Sequence, residues 1–192
     1  AARLYDAKFF YDEDLKRPLE DYVERLDTVV FQEKLGTTRA KTDRIVALAK
    51  AIAADAGVTG QEAADAERAA YLAKADLVTG AVVEFTSVQG IMGSYYAKAA
   101  GETDAVARAI ADHYRPRFSG DDVPAERVGC IVAIADKLDT ICGLFAIGQG
   151  PTGSSDPFAL RRSALGIVTM LLSDKGLDIS LGAAIDVALA SY

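Results

Sequence analysis

The chain has 192 residues, 51% of them hydrophobic, with 21 Lys and Arg against 28 Asp and Glu for a formal net charge of −7. That length suits one domain with at most an appendage, and that apolar content excludes a disordered tail. The acidic balance excludes a protein that grips nucleic acid with its whole surface, though not one with a local basic patch.

Alanine occurs 35 times and Gly and Pro together 21 times. Alanine is the best helix former and a poor strand former, so the composition points to an all-α chain. The predicted elements follow in order. Residues 1–17, with Tyr5, Phe9, Phe10 and Tyr11 before an acidic run, read as a connecting segment with a short strand or turn. Pro18 opens a helix over 18–33, with Val23, Leu26 and Val30 at helical spacing, and Gly36 ends the pattern. Thr37 or Thr38 caps a second helix to about Ala56, carrying Ile45, Leu48, Ala49 and Ile52 on one face. An Ala-rich third helix runs from about Gln61 to Glu84, and a shorter fourth from Gln89 to Ala100. Thr103 caps a fifth, which stops at Pro116.

Pro124 opens the central sixth helix. Its apolar run, Val128 to Ile147, is long enough to span a bilayer, but Asp136, Lys137 and Asp139 in its middle mark a buried core helix instead. Asp156 caps, and Pro157 begins, a helix to about Asp174, and a last helix covers Ser180 to Ala190. No strand signal is convincing. The expectation is a single bundle of about seven to eight helices over 18–192.

Cys130 and Cys142 share the central helix, about 18 Å apart, too far to bridge each other. A reducing compartment is the simplest reading. The lone histidine, His113, sits near a helix C-terminus, where it reads as a dipole partner or cap rather than a zinc ligand. The chain starts Ala-Ala-Arg with no signal segment, which reads as a processed chain or an excised piece.

Several residues are candidates for chemistry. The loop Gly148-Gln149-Gly150-Pro151-Thr152-Gly153-Ser154-Ser155 leads into a helix but lacks the Lys-Ser/Thr of a P-loop, so a plain connection is the simpler reading. Arg161 and Arg162 oppose the dipole at that helix start and call for a partner, either Asp156 or a phosphate. Arg115 and Arg117 flank Pro116. Residues 34–50 form the most basic stretch, with Lys34, Arg39, Lys41, Arg44 and Lys50. At 100° per residue Lys41 falls on the apolar face with Ile45, Leu48 and Ile52, so it either snorkels or meets a buried anion. Asp76 and Asp136, both in strongly apolar surroundings, are the candidate anions; the alternative is that each residue reaches solvent separately.

Longer motifs carry a resemblance. Phe31-Gln32-Glu33-Lys34-Leu35-Gly36-Thr37, Ala73-Lys74-Ala75-Asp76-Leu77-Val78-Thr79, Gln89-Gly90-Ile91-Met92-Gly93 and Asp136-Lys137-Leu138-Asp139-Thr140 resemble, in order and spacing, the β subunit of the bacterial two-subunit type of glycyl-tRNA synthetase. The most specific is Pro151-Thr152-Gly153-Ser154-Ser155-Asp156-Pro157-Phe158-Ala159-Leu160-Arg161-Arg162, and the likeness extends over about residues 5–172.

The resemblance implies a cytoplasmic enzyme that joins glycine to tRNA(Gly) using ATP and Mg, both handled by a separate α subunit. It implies that this piece is an HD-like helical domain with no catalytic residue, no cofactor or metal of its own, and no membrane or DNA partner. Its partners would be the α subunit, tRNA(Gly) and the remainder of the β subunit. Laid onto this sequence, the HD metal-ligand pattern places its first His at Lys41, its His-Asp pair at Ala75-Asp76 and its last Asp at Asp136. Two ligands are then missing and one is a cation, which argues against HD-type phosphohydrolysis. The leading reading is a tRNA-binding and scaffolding domain with Lys34, Arg39, Arg115, Arg117, Arg161 and Arg162 as phosphate contacts. The alternatives are a metal-dependent HD-type phosphohydrolase and a purely structural spacer. Lys41 is expected close to both Asp76 and Asp136, in place of the lost metal.

Overall fold

A computed structural model describes residues 2–192. Among these the chain is all-α, with nine α-helices: α1 (Ala2–Asp14), α2 (Thr38–Asp55), α3 (Gly60–Leu72), α4 (Gly80–Glu84), α5 (Ile91–Ala99), α6 (Asp104–Asp112), α7 (Arg127–Ala146), α8 (Leu160–Leu171) and α9 (Leu181–Leu189). Three 3-10 segments, Leu19–Thr28, Ala75–Val78 and Thr86–Val88, complete the helical content.

Helix α7 is the axis of the molecule. It is apolar almost all round, and every residue from Val128 to Asp139 is buried. Such a helix needs neighbours on all sides, and α2, α3, α6, α8 and α9 supply them. Alanines make close approach between these helices practicable: Ala49, Ala66, Ala69, Ala70, Ala107 and Ala133 are fully buried where α2, α3, α6 and α7 meet. The caps of α2 and α6 lie where the sequence places them, Thr37 being the one of the two threonines used, and Ser180, expected as the first residue of the last helix, caps α9 instead. Thr37, Thr103 and Ser180 each accept, through the side-chain oxygen, an N–H from the first turn that follows.

Elsewhere the structure departs from the sequence-based expectations. Residues 2–14 form a helix, not a strand or turn. Its reason to fold is tertiary: the buried Asp14 carboxylate accepts the N–H groups of Gly80 (2.7 Å) and Ala81 (2.9 Å) at the start of α4. It also accepts the Tyr96 hydroxyl at 2.7 Å. The same contacts divide the expected Gln61–Glu84 helix into α3, a 3-10 turn and α4. Alanine propensity loses there to the hydrogen bonds of Asp14 and Asp76.

After Pro18 the chain forms a 3-10 helix with Tyr22, Val23 and Leu26 buried. It then forms a small antiparallel hairpin, Val30–Gln32 against Gly36–Thr37, where no strand was expected. Val30, read as helical core, is 69% exposed on the first strand. Gly36 turns the hairpin at φ +87°, a conformation that a side chain would strain. Helices α6, α7 and α8 are shorter than predicted. They end at Asp112, begin at Arg127 and begin at Leu160, because Pro116, Pro124 and Pro157 sit in the flanking loops rather than at the helix ends. No helix among the described residues is long and apolar enough to cross a membrane.

Candidate functional site

Two pairs of charged residues, each three positions apart on one helix, meet between α2 and α7. Lys41 and Arg44 come from α2, Asp136 and Asp139 from α7. The Lys41 ammonium donates to Asp139 Oδ2 and to the Thr140 hydroxyl, both at 2.8 Å, and lies 3.1 Å from Asp136 Oδ1. The Arg44 guanidinium reaches Asp139 Oδ1 at 2.7 Å, and the Tyr192 hydroxyl donates to the same oxygen at 2.8 Å. From the hairpin, the Phe31 ring lies 4.4 Å from the Lys41 ammonium.

A third cation comes from the broken segment after α3. Lys74 Nζ donates to Asp136 Oδ2 at 2.8 Å and to His113 Nε2 at 2.9 Å. His113 Nδ1 donates to the Ile110 carbonyl at 2.6 Å, which leaves Nε2 as the acceptor. Burial and the neighbouring Lys74 charge hold the imidazole well below its usual range, so it is neutral. Burial by itself would raise the Asp136 carboxyl, but the ammonium groups of Lys74 and Lys41 outweigh it and hold it well below the usual carboxylate range.

Asp76 has a different environment. It is fully buried, and its Oδ2 accepts the N–H groups of Gly90 (2.6 Å) and Gly93 (2.9 Å). Gly90 is at φ +79°, and a side chain there would meet the Tyr114 ring at 2.9 Å. Burial raises the Asp76 carboxyl to about 6 even though both N–H groups favour its charged form. Asp76 makes no ion pair among the described residues.

A cleft of about 460 Å³ opens over this cluster. Asp136, Lys137 and Thr140 of α7 line its floor, and the 113–117 segment, the 86–91 segment and the start of α8 form its walls. Lys137 anchors one wall by donating to the carbonyls of His113 (3.3 Å), Tyr114 (3.3 Å) and Arg115 (2.9 Å). Burial lowers its ammonium to about 8. At the opposite wall Ala159 takes the left-handed φ of 53°, uncommon for a residue with a side chain. The Asp156 carboxylate then receives the first N–H groups of α8, from Leu160 at 2.8 Å and Arg161 at 3.0 Å.

Of the residues expected at the site, the structure brings Lys41 and Asp136 together. It corrects the expected contact of Lys41 with Asp76, which is bound by backbone instead. Ala75 is buried in the 3-10 turn beside Asp76. The six cations expected at phosphates divide. Arg39 pairs with Asp43 and Glu24, Arg115 lies 3.4 Å from Asp112, and the Arg161 side chain donates to the Thr152 carbonyl. Lys34, Arg117 and Arg162 form no ion pair among the described residues, and Arg117 and Arg162 line the cleft together. Sequence reasoning missed Asp139, Arg44 and Lys74 as partners. The matched three-residue spacings on α2 and α7 were the available signal; nothing local marked Lys74. No group of three or more His, Cys, Asp or Glu side chains among the described residues is arranged to hold a metal ion.

Comparison with known proteins places this geometry in a family. The family profile described as "Glycyl-tRNA synthetase beta subunit" matches residues 1–192. The chain is 54% identical over 188 residues to the "Glycine--tRNA ligase beta subunit" of Myxococcus xanthus, covering 98% of this chain and 26% of that protein. Its counterparts in Erwinia tasmaniensis and Clostridioides difficile are 50% and 53% identical, over 99% and 100% of this chain and 27% and 28% of theirs. The chain thus spans about a quarter of the length of the curated relatives it matches. With the whole chain matched and half or more of its residues identical to each of these relatives, it belongs to the glycyl-tRNA synthetase beta subunit family.

Proposed function

We propose that this chain is a tRNA-contacting and scaffolding portion of the β subunit of glycine–tRNA ligase. In this reading it works in the cytoplasm and contributes no catalytic group to the reaction of ATP, glycine and tRNA(Gly). ATP and Mg are used by the α subunit, and tRNA(Gly), the α subunit and the rest of the β subunit are its partners.

The observation that carries the RNA contact is the placement of Arg117 and Arg162. On a chain of net charge −7, two arginines without carboxylate partners face one cleft. The floor beneath them has its charge neutralised by Lys41 and Lys74. Unpaired guanidinium groups at a neutralised surface suit phosphate and read no base. Lys41, Ala75, Asp76 and Asp136 are read as the positions of a degenerate HD metal site. An ammonium group within 3.1 Å of Asp136 occupies space that a divalent ion would need, which disfavours metal-dependent hydrolysis.

Charge reversal tests this in the assembled α and β enzyme. Arg117→Glu with Arg162→Glu is expected to raise the KM for tRNA about tenfold or more and to leave that for glycine unchanged. Reversal at the ion-paired Arg39 and Arg115 should do less. Unchanged tRNA kinetics in all of these variants, and in Lys34→Glu and Arg161→Glu, would make the chain a structural spacer.

A further inference from the structure

Helix α8 is apolar on two faces, and the chain covers one of them. Leu160, Ile167 and Met170 are buried on the face that packs against α7. Leu165, Val168 and Leu172 lie on the other face and are 57%, 43% and 82% exposed. At 100° per residue these three and Thr169 form a stripe about 100° wide, the pattern of a helix side that meets another helix. Helix α7 has the same two-sided apolar character, and there neighbouring helices surround it.

A fixed turn borders the stripe. The Asp121 carboxylate accepts the N–H groups of Arg117 (2.7 Å) and Asp122 (3.0 Å), and the Phe118 carbonyl accepts that of Asp121 at 3.1 Å. Pro116 comes against α8 at Gly166, where a side chain would meet its ring at 3.1 Å. These contacts hold Phe118, 59% exposed, out of the core and beside α8. Between the turn and the helix lies an open groove of about 440 Å³, lined by Pro116, Phe118, Leu165 and Thr169 and ended by Arg161 and Arg162 at the start of α8.

The chemistry and size of this face select its occupant. Between Arg162 and Leu172 the stripe carries no cation, so an RNA backbone finds nothing to pair with along it. Four apolar side chains of this class, each partly exposed, offer about 500 Å² at most. That falls short of the roughly 800 Å² per partner of a stable interface between separate chains. It suffices for a segment of the same polypeptide, because a tether replaces the encounter with a high effective concentration. Such polypeptide is available in the family: the matched span is 26–28% of the relatives' length.

We propose that the outer face of α8, with Phe118, docks an amphipathic helix of the same β subunit, supplied from outside these 192 residues. The docked face carries aliphatic side chains at i, i+3 or i+4, and i+7, matching Leu165, Val168 and Leu172 over two turns. This deepens the proposed scaffolding role and rests on it for the chain being part of a longer subunit; the tRNA contacts play no part in it.

The test uses the complete β subunit, alone and assembled with the α subunit, in both cases without tRNA. Hydroxyl-radical footprinting reads the solvent access of Leu165 and Leu172, with a free peptide of residues 160–172 as the fully exposed reference. The expected result is oxidation severalfold slower than in the peptide, unchanged by dilution and by the α subunit. A photoreactive p-benzoylphenylalanine in place of Leu172, in the assembled enzyme, should crosslink to β-subunit residues outside this span. Leu165→Asp with Leu172→Asp, both at exposed positions, should speed hydrogen exchange in α8 and in the crosslinked segment and leave α2 unchanged.

Oxidation at the peptide's rate overturns the proposal. So does protection that requires the α subunit or that is lost on dilution, which would assign the face to that subunit or to a second copy of this chain. A crosslink to the α subunit, or within the 192 residues, overturns it equally. The two readings fail separately. A fully exposed stripe with a raised KM for tRNA in Arg117→Glu with Arg162→Glu leaves the phosphate contacts standing and removes the docking site. A protected stripe with unchanged tRNA kinetics leaves the docking site standing and makes the chain a structural spacer.

Discussion

Asp136 and Asp76 are both nearly or wholly removed from water, and their proton affinities move in opposite directions. Asp136 has two ammonium groups within 3.1 Å and is held strongly ionised. Asp76 has two backbone N–H groups and is pushed up to about 6. Burial penalises the charge in both. Full charges repay that penalty and peptide dipoles do not, so partner type decides the outcome and depth does not. The two regions therefore have different work. The Asp136 side is a fixed electrostatic joint between α2 and α7, and the Asp76 side ties the 76–93 backbone together.

The largest expected effect comes from breaking the joint. Lys41→Met would leave Asp136 and Asp139 short of a cation in the interior, costing about 3–5 kcal/mol by the usual cost of an orphaned buried charge. Denaturant unfolding measures it. The depressed Asp136 carboxyl contributes stability that is present above its ordinary value of 3.8 and is lost as pH falls. The variant has less of this to lose, so its deficit should shrink as pH drops below about 4. A deficit that stays constant with pH would show that Lys41 acts through packing alone.

Asp76→Asn sharpens the other side. Because the folded carboxyl is raised to about 6, the native state holds its proton more tightly than the unfolded chain, and its stabilising contribution is lost as pH rises from 3.8 through 6. Asparagine does not titrate. Relative to the native chain, the variant should gain up to about 3 kcal/mol between pH 4 and 7, read from unfolding curves across that range. A flat difference would place the Asp76 proton affinity at its ordinary value.

The smallest effect is a surface contrast. Arg68 bridges Glu20 at 2.9 Å and Glu102 at 2.7 Å, but its side chain is 33% exposed and that of Glu20 53%. Water already solvates these charges, so Arg68→Ala should cost about 0.5–1 kcal/mol and less at high salt. A loss comparable to that of Lys41→Met would mean that pairing matters here independently of burial.

Much of this was legible in the residues. The 3.6-residue periodicity of Ile45, Leu48 and Ile52 and the all-round apolar character of residues 128–147 marked α2 and α7. The position of Lys41 on an apolar face marked it as meeting an anion. What was not legible was which anion. Lys41 and Asp139 are 98 residues apart, and Lys74 and Asp136 are 62 apart. Helix α1 was missed for a related reason: its anchor, Asp14, acts on Gly80 and Ala81, which carry no signal of their own.

By itself, then, the sequence determined the all-α class, a threonine cap at 37 or 38 and the cap at Thr103, the burial of α7 and, through its long motifs, the family. These depend on interactions within a few residues or on patterns carried by the chain itself. Only the tertiary structure decided that Asp76 would be held by Gly90 and Gly93 rather than by Lys41, that an Ala-rich stretch would break after Leu72, and that Arg117 and Arg162 would face one cleft. Each of these outcomes is a competition among partners distant in sequence. Charge, hydrogen bonding and desolvation settle such a competition once the helices have packed.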